Sequence, residues 1–251
     1  MKGCGLASAV RTLTILPFPG KESDSPASTF YWFVPIGAFL GFVLYGVALL
    51  LQPFEVPFLA SSLLVGLLAF LTRAFHLDGL CDMFDGFGGG WTKERKLEIM
   101  KDSNVGAFGV IVLIITLLVK VSAMAVVIER GGMATLVYVP LLSRFFVVAQ
   151  SVCNSYARKE GGTAARSVTE GRLRHVLVAG IWVVLAVVLF KHIPLLRLVM
   201  MAGSGVVMTI IVACKSRKHI GGVTGDILGA TVELSEASML VVAALMIPLP
   251  F

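Results

Sequence analysis

Long apolar runs separated by short charged connections constrain this chain more than any other feature of its sequence. Runs of about 20 residues, the length that crosses a bilayer, cover 32–52, 58–75, 105–128, 133–153, 176–193, 195–214 and 227–247. Only 14% of the residues are charged, against about 25% in a soluble domain. Because lipid offers backbone N–H and C=O groups no partner, each run must be helical. The sequence therefore predicts an all-α, polytopic integral membrane protein with about seven transmembrane helices, in which residues 1–251 form a single transmembrane domain.

Several of these runs carry ionisable residues, and Lys120 lies inside the third. Lys191 and His192 interrupt the end of the fifth run, which makes it the weakest. Arg144 lies midway through the fourth run, and Glu233 and Glu236 lie in the seventh. Charged groups inside an apolar span are costly, so they are functional hypotheses by default.

The distribution of basic residues predicts which connections face the cytoplasm. Seven spans put the N-terminal segment and the loops 73–104, 154–175 and 215–226 on one side of the membrane. That side holds sixteen of the 21 Lys and Arg residues, namely Lys2, Arg11, Lys21, Arg73, Lys93, Arg95, Lys96, Lys101, Arg158, Lys159, Arg166, Arg172, Arg174, Lys215, Arg217 and Lys218. Basic loops favour the cytoplasmic side. We therefore expect a multi-pass protein of the cytoplasmic (inner) membrane, with its motif-bearing loops in the cytoplasm.

The net charge of +6 describes this basic cytoplasmic surface. Attraction to anionic lipid headgroups explains such a surface without any further function. An anionic substrate, such as a nucleotide diphosphate, is the more specific explanation. Nucleic acid is not an expected partner, because no basic face interleaved with aromatic residues is present.

Three aspartates follow the second apolar run, in the sequence HLDGLCDMFDG of residues 76–86. Asp78, Asp82 and Asp85 are spaced i, i+4 and i+7, so a helix through them lines the three carboxylates along one face. Carboxylates this close repel one another, and a divalent cation relieves the repulsion. Hard oxygen ligands suit Mg²⁺ or Ca²⁺ better than Zn²⁺. The pattern predicts a metal site, and a solvated acidic helix end is the alternative.

A glycine-rich segment, GFGGGW at 86–91, is predicted to be a mobile or tightly turned loop. Thr92 offers an N-cap for a short interfacial helix in KERKLEIMKD, with Leu97, Ile99 and Met100 as its apolar contacts. This helix would deliver Lys101, Asp102 and Ser103 to the cytoplasmic mouth of the third span. A charge-rich helix end that is merely solvated is an equally good interpretation.

The sequence GGVTGDILGATVELSE, residues 221–236, joins glycines to three acids. Its glycines allow the backbone to approach an anion closely. Asp226 begins a predicted helix, and Glu233 and Glu236 follow within one broad face.

Taken together, FHLDGLCDMFDG, LEIMKDSNVGAFG and GGVTGDILGATVELSE resemble the cobalamin synthase family in their order and distances. The resemblance extends from TLTILPFPG through Ser143-Arg144 and YARKEG to the C-terminal motif, and so covers nearly the whole chain. It implies an adenosylcobinamide-GDP ribazoletransferase. In that reaction a hydroxyl of α-ribazole, or of its 5'-phosphate, attacks the cobinamide-linked phosphorus, GMP leaves, and the lower nucleotide loop of cobalamin is completed.

With this resemblance, the motif residues divide into three expected roles. The expected catalytic residues are His76, Asp82, Asp85 and Lys101, with Asp82 or Asp85 as the base and His76 orienting a motif carboxylate. The expected substrate-binding residues are Asp102, Ser103, Arg144, Arg158, Thr224 and Glu233. Mg²⁺ is the expected cofactor, held by Asp78, Asp82, Asp85 and Asp226. The implied partners are the two substrates and the lipid bilayer; contacts with other late cobalamin-assembly enzymes and a homo-oligomer are left open.

Two other classes of protein are alternatives. A CDP-alcohol phosphotransferase also uses an aspartate cluster at a membrane face, but its signature needs an Ala-Arg pair where this chain has Leu80-Cys81. A cation-coupled transporter would place acids near the bilayer midplane and contain internal repeats. No convincing repeat is present, and most acids cluster at one mouth.

Overall fold

The computed structural model describes residues 5–162 and 164–248. Its regular elements are helices. In addition, one isolated parallel β-bridge pairs Tyr156 with Val223. In chain order the helices are α1 Gly5–Leu13, α2 Phe30–Leu51, α3 Pro57–Leu71, α4 Phe75–Gly89, α5 Lys93–Ile99, α6 Ala107–Glu129, α7 Thr135–Cys153, α8 Ala165–Glu170, α9 Leu173–Leu189, α10 Leu195–Ile220 and α11 Gly225–Met246. Short 3₁₀ turns precede and follow α2.

The polytopic all-α architecture is confirmed, but the count of seven spans is not. In the described part of the chain, α2, α6, α7, α10 and α11 are long and apolar enough to cross a membrane. The predicted second span is instead two helices, α3 and α4, bent by 88° at their junction. The predicted fifth span, α9, has 17 residues. At 1.5 Å per residue it is about 25 Å long, shorter than a hydrocarbon core of about 30 Å.

The bend between α3 and α4 arises in the three residues 72–74. Arg73 and Ala74 adopt positive φ angles of 55° and 53°, a left-handed conformation that ends an α-helix. Arg73 also donates a hydrogen bond to the carbonyl of Arg11, which ties the junction to the end of α1. The aspartate motif therefore lies on a helix of its own.

The helices form a bundle with α7 and α11 as its most buried members. α11 packs against α4, α6, α7 and α10, and α2 packs against α7. Large apolar side chains point outward from the helices around this centre, as lipid contact requires, namely Phe39, Phe42, Ile111, Ile114, Ile115, Leu118, Ile181, Val184, Val207 and Ile210. Lys2, which contributed to the topology prediction, lies outside the described residues.

The connection between α4 and α6 is partly as predicted. The short helix is confirmed as α5: Thr92 caps it by accepting a hydrogen bond from Arg95 N at 3.2 Å, and Met100 is buried beneath it. The prediction that the glycine segment begins as a loop at residue 86 is wrong, because α4 continues through Gly89. Gly86 is accommodated there because it packs directly on Met100 and the Lys96 carbonyl, which leave no room for a side chain.

Candidate active site

The three motif aspartates lie on one helix, α4, as their spacing predicts. Their environments differ: Asp78 is exposed, Asp82 is half-buried and Asp85 is buried. Neither Asp78 nor Asp82 accepts a hydrogen bond from any residue in the described ranges. These two carboxylates are therefore available to a ligand.

Asp85 has a different role from its two neighbours. Its Oδ2 accepts a hydrogen bond from Gly106 N at 2.7 Å, and its Oδ1 accepts one from Gly109 N at 2.9 Å. Both donors belong to the first turn of α6, where backbone N–H groups lack helical partners and favour a negative charge. Asp85 thus caps α6 and anchors it to α4, and both of its oxygens are engaged.

A fourth carboxylate, that of Asp226, comes from the start of α11. Thr224 caps this helix, accepting a hydrogen bond from Ile227 N at 3.4 Å, and also donates to Asp226 Oδ2 at 3.1 Å. Arg158 Nη2 donates to the same Oδ2 at 2.7 Å. Arg158 and Thr224 therefore lie together, and both fix the Asp226 carboxylate.

Arg158 is positioned by a pairing of two loops. Ala157 N donates to the Val223 carbonyl and Val223 N donates to the Ser155 carbonyl, each at 2.9 Å. This pairing sets residues 155–158 beside the turn that leads into α11. Gly221 makes the turn, closing α10 with a φ of 78° that a side chain would strain. Tyr156, at the centre of the pairing, is partly buried, which raises the pKa of its hydroxyl and keeps it protonated.

Gly79 brings α4 and α11 together. A Cβ at this position would lie 2.8 Å from the Asp226 carbonyl oxygen, so only glycine permits this approach. Gly229, three residues later on α11, lies against His76, three residues earlier on α4, so the two helices run antiparallel. As a result, the charges of Asp78, Asp226 and Arg158 all act on Asp82. We call Asp78, Asp82, Asp226 and Arg158 the acidic face.

Lys101, Asp102 and Ser103 are exposed where α5 ends, on the side of Arg158, whose Nη2 also donates to the Met100 carbonyl at 3.2 Å. Lys101 Nζ is 2.7 Å from Glu160 Oε2 and holds the pKa of that carboxyl below its usual value. Asn104 donates its backbone and side-chain N–H groups to Asp102 Oδ1 at 3.0 and 2.8 Å, which lowers the pKa of Asp102. Asp102 is thus occupied by its own turn, while Lys101 can reorient.

Arg144 and Glu233 lie away from the acidic face, inside the bundle. Glu233 follows Asp226 by seven residues, about 10 Å along α11, and its Oε2 is 2.8 Å from Lys120 Nζ. Lys120 is also 2.8 Å from Glu236, which pairs with Arg144 and accepts a hydrogen bond from Ser143 at 3.0 Å. We call these five residues the buried ionic network: Ser143, Lys120, Arg144, Glu233 and Glu236.

The network changes the interpretation of two predicted substrate-binding residues and of His76. Glu233 is neutralised by Lys120 of α6, and Arg144 Nη1 is engaged by Glu236 and Ser143. His76 is buried, and the charges that act on it belong to Arg144, Glu236 and Lys120 rather than to the motif carboxylates. The structure therefore does not bring His76 into a hydrogen bond with an aspartate of the motif, because its side chain lies on the network side of α4.

The sequence reasoning missed Lys120, Tyr156 and the closeness of Gly79 to α11. A signal for Lys120 was present, because a lysine inside an apolar run requires an opposite charge and two glutamates lie in the last run. Nothing in the sequence pattern indicated the pairing of Tyr156 with Val223, which joins residues distant along the chain.

The carboxylates fit magnesium only in cooperation with a substrate. Within residues 5–162 and 164–248, no three His, Cys, Asp or Glu side chains form a group that could hold a metal ion. Asp85 is hydrogen-bonded to backbone N–H groups of α6, and Asp226 is paired with Arg158. Of the four predicted metal ligands, Asp78 and Asp82 therefore remain available to a metal ion. Mg²⁺ is commonly held by one or two carboxylates together with substrate phosphates. The donor set fits that arrangement and does not fit an all-protein cage.

Comparison with known proteins identifies the family. The model of the cobalamin-5-phosphate synthase family matches residues 5–244. A protein of Chlorobaculum tepidum named adenosylcobinamide-GDP ribazoletransferase is 41% identical over 244 residues, 96% of this chain and 95% of the relative. Relatives of the same name from Chlorobium phaeovibrioides and Syntrophobacter fumaroxidans are 40% and 39% identical, covering 92% and 96% of this chain and 93% and 98% of their own lengths.

No solved structure matches the chain significantly. The family that matches is neither of the two alternatives, the CDP-alcohol phosphotransferases and the cation-coupled transporters. The match runs from α1 into α11 and includes the parts of α4 and α11 that carry the acidic face. The chain belongs to the cobalamin-5-phosphate synthase family.

Proposed function

We propose that this protein is an adenosylcobinamide-GDP ribazoletransferase that joins α-ribazole, or its 5'-phosphate, to adenosylcobinamide-GDP with release of GMP. Relatives of that name, about 40% identical over most of the chain, support the proposal. The observation that carries it is the acidic face, where Asp78 and Asp82, which accept no hydrogen bond from the described residues, lie beside an arginine.

The acidic face suits transfer between a diphosphate and a hydroxyl. Such reactions depend on positioning and on neutralising negative charge more than on covalent catalysis. Arg158 offers a planar guanidinium whose Nε, buried and without a partner among the described residues, can donate to a phosphate oxygen. Lys101 is exposed nearby and can exchange Glu160 for a phosphate oxygen.

Asp82 is the proposed proton acceptor. The hydroxyl oxygen of the acceptor attacks the cobinamide-linked phosphorus, the bond between this phosphorus and the oxygen of GMP breaks, and the hydroxyl proton passes to the Asp82 carboxylate. Asp85 is less suited to this role because two N–H groups of α6 already occupy its oxygens. Asp82 accepts no such bond within the described residues and is half-buried.

Magnesium is the proposed cofactor. Asp78 and Asp82 would hold it from successive turns of α4, with substrate phosphate oxygens as its further ligands. When bound, Mg²⁺ would neutralise charge on the diphosphate oxygens. Arg158 pairs with Asp226 on the facing helix, so this carboxylate is not counted among the ligands.

We also propose that the acidic face is on the cytoplasmic side of the inner membrane. The loops on this side carry sixteen of the 21 basic residues, which favours a cytoplasmic location. Thr169 is exposed on the same side, in α8. A Thr169→Cys variant should react with an impermeant thiol reagent only after the cytoplasm is made accessible. The unsubstituted chain controls for its own cysteines, and labelling of Thr169→Cys in intact cells would contradict this orientation.

The activity itself is tested with the full chain purified in detergent. Adenosylcobinamide-GDP, α-ribazole and Mg²⁺ are supplied, and the release of GMP and the formation of cobalamin are followed together. We expect equal amounts of both products and a loss of both when EDTA is present. A protein that folds, as judged by circular dichroism, but makes neither product would refute the proposed function. Turnover that persists in excess EDTA would refute the magnesium site alone.

A further inference from the structure

A cavity of about 390 Å³ lies beside the acidic face, under the N-terminal segment of the chain. Its walls come from α1, the start of α2, the start of α4, α7, the segment around α8 and the first turns of α11. The family's reaction requires an acceptor as well as a diphosphate donor, and the acidic face accounts only for the diphosphate. The cavity is large enough for a small organic ligand, a class whose sites typically span about 300–1,000 Å³.

Buried polar groups without partners line this cavity. Arg144 is 1% exposed, and its Nε and Nη2 have no hydrogen-bond partner within the described residues. His76 is 5% exposed and its Nδ1 is likewise without a partner there, as is Arg11 Nε at the cavity wall. Leaving a buried polar group unpaired costs about 1–3 kcal/mol, and more when it is charged. A ligand that presents several hydrogen-bond acceptors would pair with these groups and remove this cost.

The rest of the lining suits an aromatic base and a sugar. Phe30 and Phe33 form an edge-to-face pair with ring centres 5.3 Å apart, and Phe75 lies at the same cavity. Aromatic walls of this kind accept a planar ring. Hydroxyl and carboxylate groups line another part of the cavity, suited to the hydroxyls of a ribose, namely Ser8, Ser23, Ser167 and Glu22.

The cavity ends at the crossing of α4 and α11. Gly225, which lines it, directly precedes Asp226, and Phe75 and His76 lie two or three residues before Asp78. A ligand that fills the cavity therefore has one end within about one helical turn of the acidic face. A corrin with its amide side chains is too large for this space, whereas a nucleoside fits.

We infer that this cavity binds the acceptor nucleoside, with its aromatic base against Phe30 and Phe33 and its acceptor atoms towards Arg144, and that the diphosphate donor occupies the acidic face from outside the cavity. The inference rests on the proposed function and assigns to Arg144 and His76 the positioning of the acceptor. The two substrates then meet at the crossing of α4 and α11.

The test reduces the volume of the cavity by enlarging one side chain that lines it. Ser167 lines it and is partly buried, whereas Thr169 on the same helix is exposed and does not line it. We therefore compare Ser167→Phe with the matched control Thr169→Phe, using the full chain in detergent. Binding of α-ribazole alone is measured by calorimetry, and KM is measured separately for α-ribazole and for adenosylcobinamide-GDP. Ser8→Phe repeats the test from α1, in case Ser167→Phe does not fold.

For Ser167→Phe we expect the affinity for α-ribazole to fall by at least about tenfold, because the base loses its space. KM for α-ribazole should rise to match, while KM for adenosylcobinamide-GDP stays within about twofold and Thr169→Phe behaves as the wild type. Unchanged α-ribazole binding in folded Ser167→Phe and Ser8→Phe would overturn the inference. A rise in KM for adenosylcobinamide-GDP alone would overturn it too, because the cavity would then hold the donor.

The outcomes separate this inference from the proposed function. If the wild type makes cobalamin and both Ser167→Phe and Ser8→Phe make it at the same rate, the proposed function stands and the cavity is not the acceptor site. If the wild type binds α-ribazole but forms no cobalamin, and Ser167→Phe no longer binds α-ribazole, the site stands and the proposed function is refuted.

Discussion

The acidic face and the buried ionic network use the same kinds of side chain for opposite purposes. In the network, Lys120 contacts two glutamates at 2.8 Å and is 3% exposed, so each charge is compensated within the protein. On the acidic face, Asp78 and Asp82 accept no hydrogen bond from the described residues. The compensated charges hold helices together, although Arg144 also presents to the cavity two nitrogens that have no partner among the described residues. The uncompensated carboxylates of the acidic face are open to a ligand.

Lys120→Met should have the largest effect, and it tests the stabilising half of this comparison. Methionine keeps much of the length of lysine but leaves Glu233 and Glu236 buried without their shared partner. Removing one member of a buried ion pair typically costs about 3–5 kcal/mol of stability. We expect unfolding in detergent, followed by circular dichroism, at a much lower temperature than in the exposed control Lys159→Met. Equal melting temperatures would show that the network contributes nothing to stability.

Asp82→Asn tests the functional half. Asparagine has nearly the same size but lacks the charge and the ability to take up a proton. If Asp82 accepts the proton and shares the metal ion, the transition state loses several kcal/mol, and kcat should fall by about two to three orders of magnitude. Loss of like-charge repulsion should leave the melting temperature equal or slightly higher. The control Glu98→Gln, on the exposed side of α5, should keep full activity.

Full activity of Asp82→Asn would remove the distinction between the two regions. The same is true of a variant that loses activity and melting temperature in parallel, because Asp82 would then act as a structural residue.

Asp85→Asn sharpens the comparison, because Asp85 lies on the helix of the acidic face but is bonded like a member of the network. Asparagine can accept only one of the two N–H groups from the first turn of α6 and carries no charge for the helix dipole. We expect a loss of about 1–2 kcal/mol of stability. The change in kcat should be smaller than for Asp82→Asn. A loss of kcat as large as that of Asp82→Asn, without any loss of stability, would return Asp85 to the catalytic group.

Glu98→Gln should have the smallest effect. Its ion pair with Arg95 is 2.8 Å long but 59% and 69% exposed on the two side chains. Exposed pairs contribute little, so a change in stability below about 0.5 kcal/mol is expected. A measured loss above this value would mean that α5 is more tightly coupled to the bundle than its exposure indicates.

Local patterns in the sequence predicted the elements of the site, while contacts across the chain decided their roles. Helical spacing placed Asp78, Asp82 and Asp85 on one helix, and Thr92 was correctly predicted as the cap of α5. Spacing could not show that Asp85 would meet Gly106 and Gly109, because that contact depends on how α6 packs against α4.

The membrane spans show the same limit. Apolar length located α2, α6, α7, α10 and α11 closely. It could not reveal the 88° bend after Leu71, because the run stays apolar while the backbone of Arg73 and Ala74 turns left-handed. Apolar length also could not predict that Lys120 pairs with Glu233 on α11, because hydropathy identifies a charged residue in a span but not the residue it contacts.

The ionic composition of the buried network also has an electrical consequence. With all four groups ionised, Lys120 and Arg144 cancel Glu233 and Glu236, so the group carries no net charge. A membrane potential acts on net charge, at about 2.3 kcal/mol per elementary charge per 100 mV across the full membrane. The transmembrane voltage therefore exerts almost no net force on the centre of the bundle, and this core keeps the same stability in an energised and a de-energised membrane.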